Sequence, residues 1–298
     1  MTDTRYEPAP PPVSAAAARV VLIGEPTPLR AAVAQRLHTA AALLACLDTP
    51  ARLAPALSSV ASSGGAWLSG LTVVFVTVPR PPGLAARLRH RFRTTALAGD
   101  FEQAAMNARE RGAARLVMLS TVFRYDDDPG LPLQPGSPTL KAAETAPAAA
   151  AEQAARLFTS LGGDAVVLRL GWTCGREEAI TRQVVSAARR GWRLIDGDPA
   201  AWIAMVAETD AARAVLPALT VPPGTYNVTD GAPVTQGMLN ARLETTLGRD
   251  LHTLDDPGWG YDGTLFGSSR KITDATFADL TGWRPHATPA VEGLAVML

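Results

Sequence analysis

Cysteine is nearly absent from this chain: Cys46 and Cys174 are the 2 thiols among 298 residues. One pair cannot make a disulfide framework, and a reducing, cytoplasmic setting is the expectation. Histidine is scarce too, and His38, His90, His252 and His286 are scattered without metal-ligand spacing. Net charge is missing, because 28 basic side chains balance 28 acidic ones. That balance speaks against a nucleic-acid binder, which carries a basic excess or stripe. No apolar run approaches the ~20 residues of a membrane span, and the N-terminus shows no signal-type apolar stretch. Neither a membrane nor a nucleic acid is therefore an expected partner.

Apolar side chains are plentiful at 47%, enough to fill a core and to exclude disorder throughout. The length suits one large domain, or a domain with a smaller lobe, since single cores stop growing at roughly 250–300 residues. Residues 1–18, rich in proline and alanine, predict a flexible tail. From Arg19 the elements alternate. RVVLIG (19–24) reads as a strand ending in glycine, and PLRAAVAQRL follows with Leu29, Val33 and Leu37 at helical spacing. ALLACLD (42–48), LTVVFVTV (71–78), ARLVMLST (114–121) and DAVVLRLG (164–171) read as further buried strands, with helices such as FEQAAMNARERG between them. Such alternation predicts an α/β fold with a doubly wound, Rossmann-like parallel sheet. Residues 19–175 would form that domain, completed by a strand near 225–230. Residues 176–298 would mainly form a smaller C-terminal substrate lobe over the sheet's carboxyl edge.

Several phrases in this order carry a resemblance. RLVMLSTVFRYDDDPG, DAVVLRLGWTCG, ETDAARAV, PPGTYNVTDGAPVT and LFGSSRKITDATFADLTGWRP resemble segments of the NAD-dependent epimerase/dehydratase family, the extended short-chain dehydrogenase/reductases. The likeness runs from about Arg19 to Pro285. It implies a Gly-rich turn for a pyrophosphate, a Ser/Thr that orients the substrate oxygen, and an acid/base Tyr with a Lys four residues on.

This chain departs from that pattern. Where the family has three glycines in the first turn, Gly24 is followed by Thr27 and Arg30, and Pro26 and Pro28 remove backbone donors. Asp48 ends the second strand where an acidic residue holds the adenosine ribose in NAD-binding members; before Thr49-Pro50 it serves equally well as a turn former. Thr121 falls at the catalytic Ser/Thr position, with Tyr125 four residues on. If Glu152 matches the family glutamate, the Lys and Tyr positions hold Ala148 and Glu144, and moving the register to Lys141 puts Ser137 in place of the tyrosine. No register gives a Tyr-x-x-x-Lys pair.

Other residues carry two readings each. The run Arg87, Arg89, His90, Arg91, Arg93 is a solvated surface or an anion site. Asp126, Asp127 and Asp128 before Pro129-Gly130 are an exposed turn or a metal site. Trp172, Trp202, Met205 and Arg270 are packing and surface charge, or the walls of an apolar cleft for a ring-bearing molecule. Glu144 or Asp48 would serve as an acid or base if buried.

These residues lead to an expected enzyme of small-molecule or secondary metabolism, acting without net redox as a cyclase, isomerase or dehydratase-like protein. Thr121 and Tyr125 would polarise an oxygen while Trp172, Trp202, Met205 and Arg270 hold the substrate. No cofactor is expected; Gly24, Arg30 and Asp48 would hold NAD(P) in the alternative of an oxidoreductase or epimerase with an altered proton relay. A non-catalytic ligand-binding or regulatory protein is the third reading. The expected partner is a small-molecule substrate, and a homodimer is compatible with this reading.

Overall fold

The computed structural model describes residues 18–61, 70–77, 99–126, 131–140, 145–195, 197–253, 268–273 and 275–298, without the side chains of 59–61. The tail as far as residue 17, the run 87–93, Asp127, Asp128, Lys141 and Glu144 lie outside the described residues.

The chain begins with β1 (Arg19–Ile23), α1 (Pro28–Thr39), β2 (Leu43–Leu47), α2 (Leu53–Ala61) and β3 (Leu71–Val76). Next come α3 (99–110), β4 (Arg115–Thr121), α4 (Ala146–Ser160), β5 (Asp164–Leu170) and β6 (Trp172–Cys174). Then follow α5 (Ala179–Arg189), β7 (Trp192–Arg193), β8 (Trp202–Ile203), β9 (Met205–Ala207), α6 (Glu208–Arg213), α7 (Val215–Ala218) and β10 (Gly224–Val228). The last elements are β11 (Val234–Thr235), α8 (Gln236–Leu247), β12 (His252–Thr253), α9 (Thr276–Thr281) and α10 (Ala290–Val296).

Six strands form one sheet in the order β10-β5-β4-β3-β1-β2, with every pairing parallel. Helices cover both faces, which explains the unbroken burial of β3. Side chains alternate across the pleat. Val20, Leu22, Val74 and Val76 pack with Leu29, Val33 and Leu37 of α1 and with α6 and α7. Val21, Ile23, Val73 and Phe75 pack with Leu53 and Leu57 of α2, Phe101 of α3 and Phe158 of α4. A third core belongs to the lobe, where Trp172, Val184, Ile203, Met205, Leu239 and Leu294 meet.

The chain leaves β1 on one side for β2 and returns on the other for β3, so the carboxyl ends of β1 and β3 border a crevice. Gly24 closes it from one side: a Cβ there would lie 2.7 Å from the Val76 carbonyl oxygen. Helix α1 starts sharply because Thr27 caps it, its hydroxyl accepting from the Arg30 N–H at 3.2 Å, and Pro28 occupies the first turn.

The segment AWIAMVA (201–207) forms two strands rather than one. Trp202–Ile203 pairs antiparallel with β11, and Met205–Ala207 pairs parallel with β6. Ala204 lies between them and accepts from the Trp172 N–H at 2.8 Å, a switch of partner that no local pattern announces. Among the described residues no helix is long and apolar enough to cross a membrane.

Candidate functional site

Two neighbouring regions carry the polar side chains above the sheet. The first lies at the end of β4. Thr121 is 3% exposed, and its hydroxyl accepts from the Phe123 N–H at 3.2 Å, starting the tight turn Val122–Arg124. A threonine hydroxyl also has one proton to give, so the cap does not exhaust it. Tyr125 is fully buried. Its O–H donates to Asn227 Oδ1 on β10 at 2.6 Å, and its ring lies 4.6 Å below the Arg169 guanidinium. Burial pushes the phenol up, with Arg169 opposing. The phenol is thus a strut between the turn and the sheet's edge.

Behind it is a buried ionic group. Arg169 on β5 grips Glu152 of α4 with two hydrogen bonds, Nε to Oε1 at 3.0 Å and Nη2 to Oε2 at 2.9 Å. Ser120 donates to Glu152 Oε1 at 2.7 Å, and Arg124 Nε stands 3.7 Å from Oε2. Burial alone would raise the Glu152 carboxyl, but the Arg169 hydrogen bonds and charge, then Ser120 and Arg124, hold it below the usual carboxylate range. Ala148, one turn earlier on α4, is also buried. A methyl group therefore stands where the resemblance implies a lysine.

In front of Tyr125 lies a shallow, solvent-open cleft lined by Val122, Phe123, Trp202, Ile203, Ala204, Ser268 and Arg270. Arg270 is 2% exposed. Its Nε donates to the Tyr125 carbonyl at 3.2 Å, and its guanidinium lies 5.5 Å from the centre of the Phe123 ring. Trp202 is half-buried, with Lys271 Nζ 4.5 Å from the centre of its ring. Among the expected site residues, then, Trp202 and Arg270 line the cleft and Tyr125 supports it from behind. Trp172 and Met205 are packed in the lobe's core instead. Phe123 and Ser268 are not singled out by the sequence; Phe123's place two residues after Thr121 is the signal that could have found it.

The second region is the crevice at β1. Arg30 is turned inward, its Nη1 donating to the Gly24 carbonyl at 3.1 Å, the Leu47 carbonyl at 3.3 Å and Asp48 Oδ1 at 2.9 Å. It fastens the first turn to the end of β2, where the Asp48 side chain is 53% exposed. The amides opening α1 are all engaged or missing. Pro28 has none, Arg30 gives its own to Thr27 Oγ1, and Ala31 donates to the Thr27 carbonyl. The remaining one, Leu29 N–H, donates to Glu178 Oε1 at 3.1 Å. Glu178 directly precedes α5 yet caps α1 rather than its own helix. It is 6% exposed. Burial, followed by the nearby Glu208 carboxylate, raises its pKa to about 7, with the Leu29 N–H opposing. No short-range signal in the sequence marks Glu178. Among the described residues no group of three or more His, Cys, Asp or Glu is placed to hold a metal.

No protein-family model matches the sequence, and comparison with curated proteins gives no match. Solved structures do match in fold. DesIV, a dTDP-glucose 4,6-dehydratase from Streptomyces venezuelae with NAD bound, superposes with a TM-score of 0.72 at 18% identity, covering 94% of this chain and 95% of that one. The Thermus thermophilus UDP-glucose 4-epimerase with NAD gives 0.71 at 18% identity, over 94% and 97%. RMD from Pseudomonas aeruginosa with NADPH gives 0.68 at 17% identity, over 94% and 96%. These structures hold NAD or NADPH, and that corrects the expectation of no cofactor. Loss of the glycines does not dismantle the turn, because Thr27 and Pro28 still build a tight turn and a helix start at this crevice. The chain has the Rossmann-like fold of the NAD-dependent epimerase/dehydratase family, the extended short-chain dehydrogenase/reductases.

Proposed function

We propose that this chain is an enzyme of the isomerase or lyase kind, transforming a small, partly apolar metabolite without net redox and with NAD(P) as its cofactor. The observation that carries this reading is the buried Arg270 guanidinium at the wall of a cleft flanked by Phe123 and Trp202. An anionic or strongly polar group would meet Arg270, and a ring or apolar body would lie against the two aromatic side chains. Thr121, buried at the end of β4 next to Val122 and Phe123 of that lining, would donate a hydrogen bond from its hydroxyl to a substrate oxygen.

The described residues fit a dinucleotide at two points. Asp48 is open enough at the end of β2 to accept from ribose hydroxyls. The Leu29 N–H already holds a carboxylate oxygen, so the start of α1 receives anions. When bound, a nicotinamide dinucleotide supplies a reversible two-electron oxidation that can be returned to the same molecule, as dehydration and epimerisation require. The proton relay would differ from a Tyr-Lys pair, since Ala148 stands at the lysine position and Tyr125 is committed to Asn227.

Equilibrium binding of ring-bearing anionic metabolites, nucleotide sugars among them, tests this reading with the wild type and Trp202→Ala. Saturable binding that weakens roughly five- to thirtyfold in the variant is expected, as an aromatic wall contributes on the order of 1–2 kcal/mol. Equal binding by both proteins moves the substrate away from this cleft.

A further inference from the structure

We infer that the Glu178 carboxylate is an internal occupant of the anion-receiving start of α1, and that the diphosphate of a dinucleotide binds there only by displacing it. This rests on the NAD(P) reading above and adds to it the residue that sets the affinity. The first-turn amides of α1 point to it. With Pro28 lacking a donor and the Arg30 and Ala31 amides spent on Thr27, the Leu29 N–H is the one first-turn donor of α1 held by a group from a distant part of the chain. Its partner comes from the segment between β6 and α5, 149 residues away, and is the oxygen of a titratable carboxyl group rather than a backbone carbonyl.

A second anion cannot share that place without meeting Glu178 at contact distance, where like charges in a poorly solvated crevice repel strongly. The surroundings aggravate this. Glu208 of α6 raises Glu178, and Glu177 in turn raises Glu208. A Cβ added to Gly175 would collide with Glu208 Oε2, so that carboxylate lies against the same turn. From α1, Arg30 is the nearby cation, but it is engaged with Gly24, Leu47 and Asp48. Glu25 stands in the turn itself. Removing the Glu178 charge, by protonation or by substitution, therefore opens the site to phosphate.

The test is calorimetric titration of the full chain with NAD and with NADP at about pH 6 and about pH 8, on either side of about 7. Wild type, Glu178→Gln and Glu208→Gln are compared. Glu178→Gln keeps an oxygen for the Leu29 N–H and should fold, which thermal unfolding checks. Wild type should bind roughly tenfold more tightly at the lower pH, the effect of about one pK unit of coupling. Glu178→Gln should bind tightly at both, and the difference between the two proteins cancels any titration of the ligand itself. Glu208→Gln should move the wild-type pH midpoint downward, which a purely structural role for Glu178 would not do. Equal affinities of wild type and Glu178→Gln at both pH values overturn the inference and leave dinucleotide binding standing. Failure of every form to bind either dinucleotide overturns both.

Discussion

The Tyr125 hydroxyl donates a 2.6 Å hydrogen bond to Asn227 Oδ1, joining the turn after β4 to the edge strand β10 across 102 residues of sequence. Both partners are buried. The phenol expected to polarise a substrate oxygen therefore has a structural partner of its own.

Tyr125→Phe should cost stability. The substitution keeps the ring under Arg169 but removes the donor to a buried acceptor, a loss of about 1–3 kcal/mol. Urea unfolding monitored by circular dichroism measures it. A midpoint unchanged from wild type would show that the hydrogen bond adds nothing net.

Gly24→Ala should also destabilise, by about 1–3 kcal/mol, because the new methyl must push against the Val76 carbonyl 2.7 Å away. The strain falls on the β1–β3 contact rather than on a ligand. A crystal structure of the variant should show the turn displaced from β3; a protein as stable as wild type would contradict the tightness of this approach.

Glu152→Gln should be the costliest single change among these. It leaves Arg169 and Arg124 buried without a carboxylate, and breaking one side of a buried ion pair costs about 3–5 kcal/mol. In wild type the lowered Glu152 pKa means that its contribution is present above the unfolded value and is lost as pH falls through the folded one. Acid unfolding should consequently begin at higher pH once Glu152 is replaced, and chemical denaturation across the acid range reads the difference.

Glu178 should act in the opposite direction. The folded carboxyl keeps its proton up to about 7 whereas the ordinary value is 4.5, so the native state binds more protons between the two. Stability contributed by this group falls as pH rises across that window. Glu178→Gln should flatten the decline, with a gain of about 1–3 kcal/mol at the alkaline end. Paired unfolding curves below and above the window decide the matter.

Much of the architecture is legible in the sequence because its signals are local. Leu29, Val33 and Leu37 recur at the spacing of one helix face, Thr27 and Pro28 mark its start, and LTVVFV has the composition of a strand covered on both sides. The site is legible only in part, since its geometry is made by contacts remote in sequence. Trp202 and Arg270 can be picked by residue type. Glu178 cannot, because nothing within its own segment reveals that it will cap a helix 149 residues earlier. Trp172 and Met205 have the right chemistry for a ligand wall, but their burial in the lobe's core is decided by the pairing of β6 with β9. The expectation of no cofactor fails for a related reason: it weighs the turn by the glycines missing from it, while the path of the turn is set by Thr27, Pro28 and Arg30 together.

The last strand of the central sheet, β10, is made only after residues 171–223 have followed β5, the strand it pairs with. During synthesis the outer edge of β5, whose side chains from Ala165 to Leu170 are buried in the finished protein, waits unpaired until the first part of the lobe has emerged. An open apolar edge of this kind is a template for wrong pairing between chains. Folding of the sheet is in this way tied to completion of the lobe's first half, and a chain cut just after β6 should aggregate rather than yield a free, folded half-sheet.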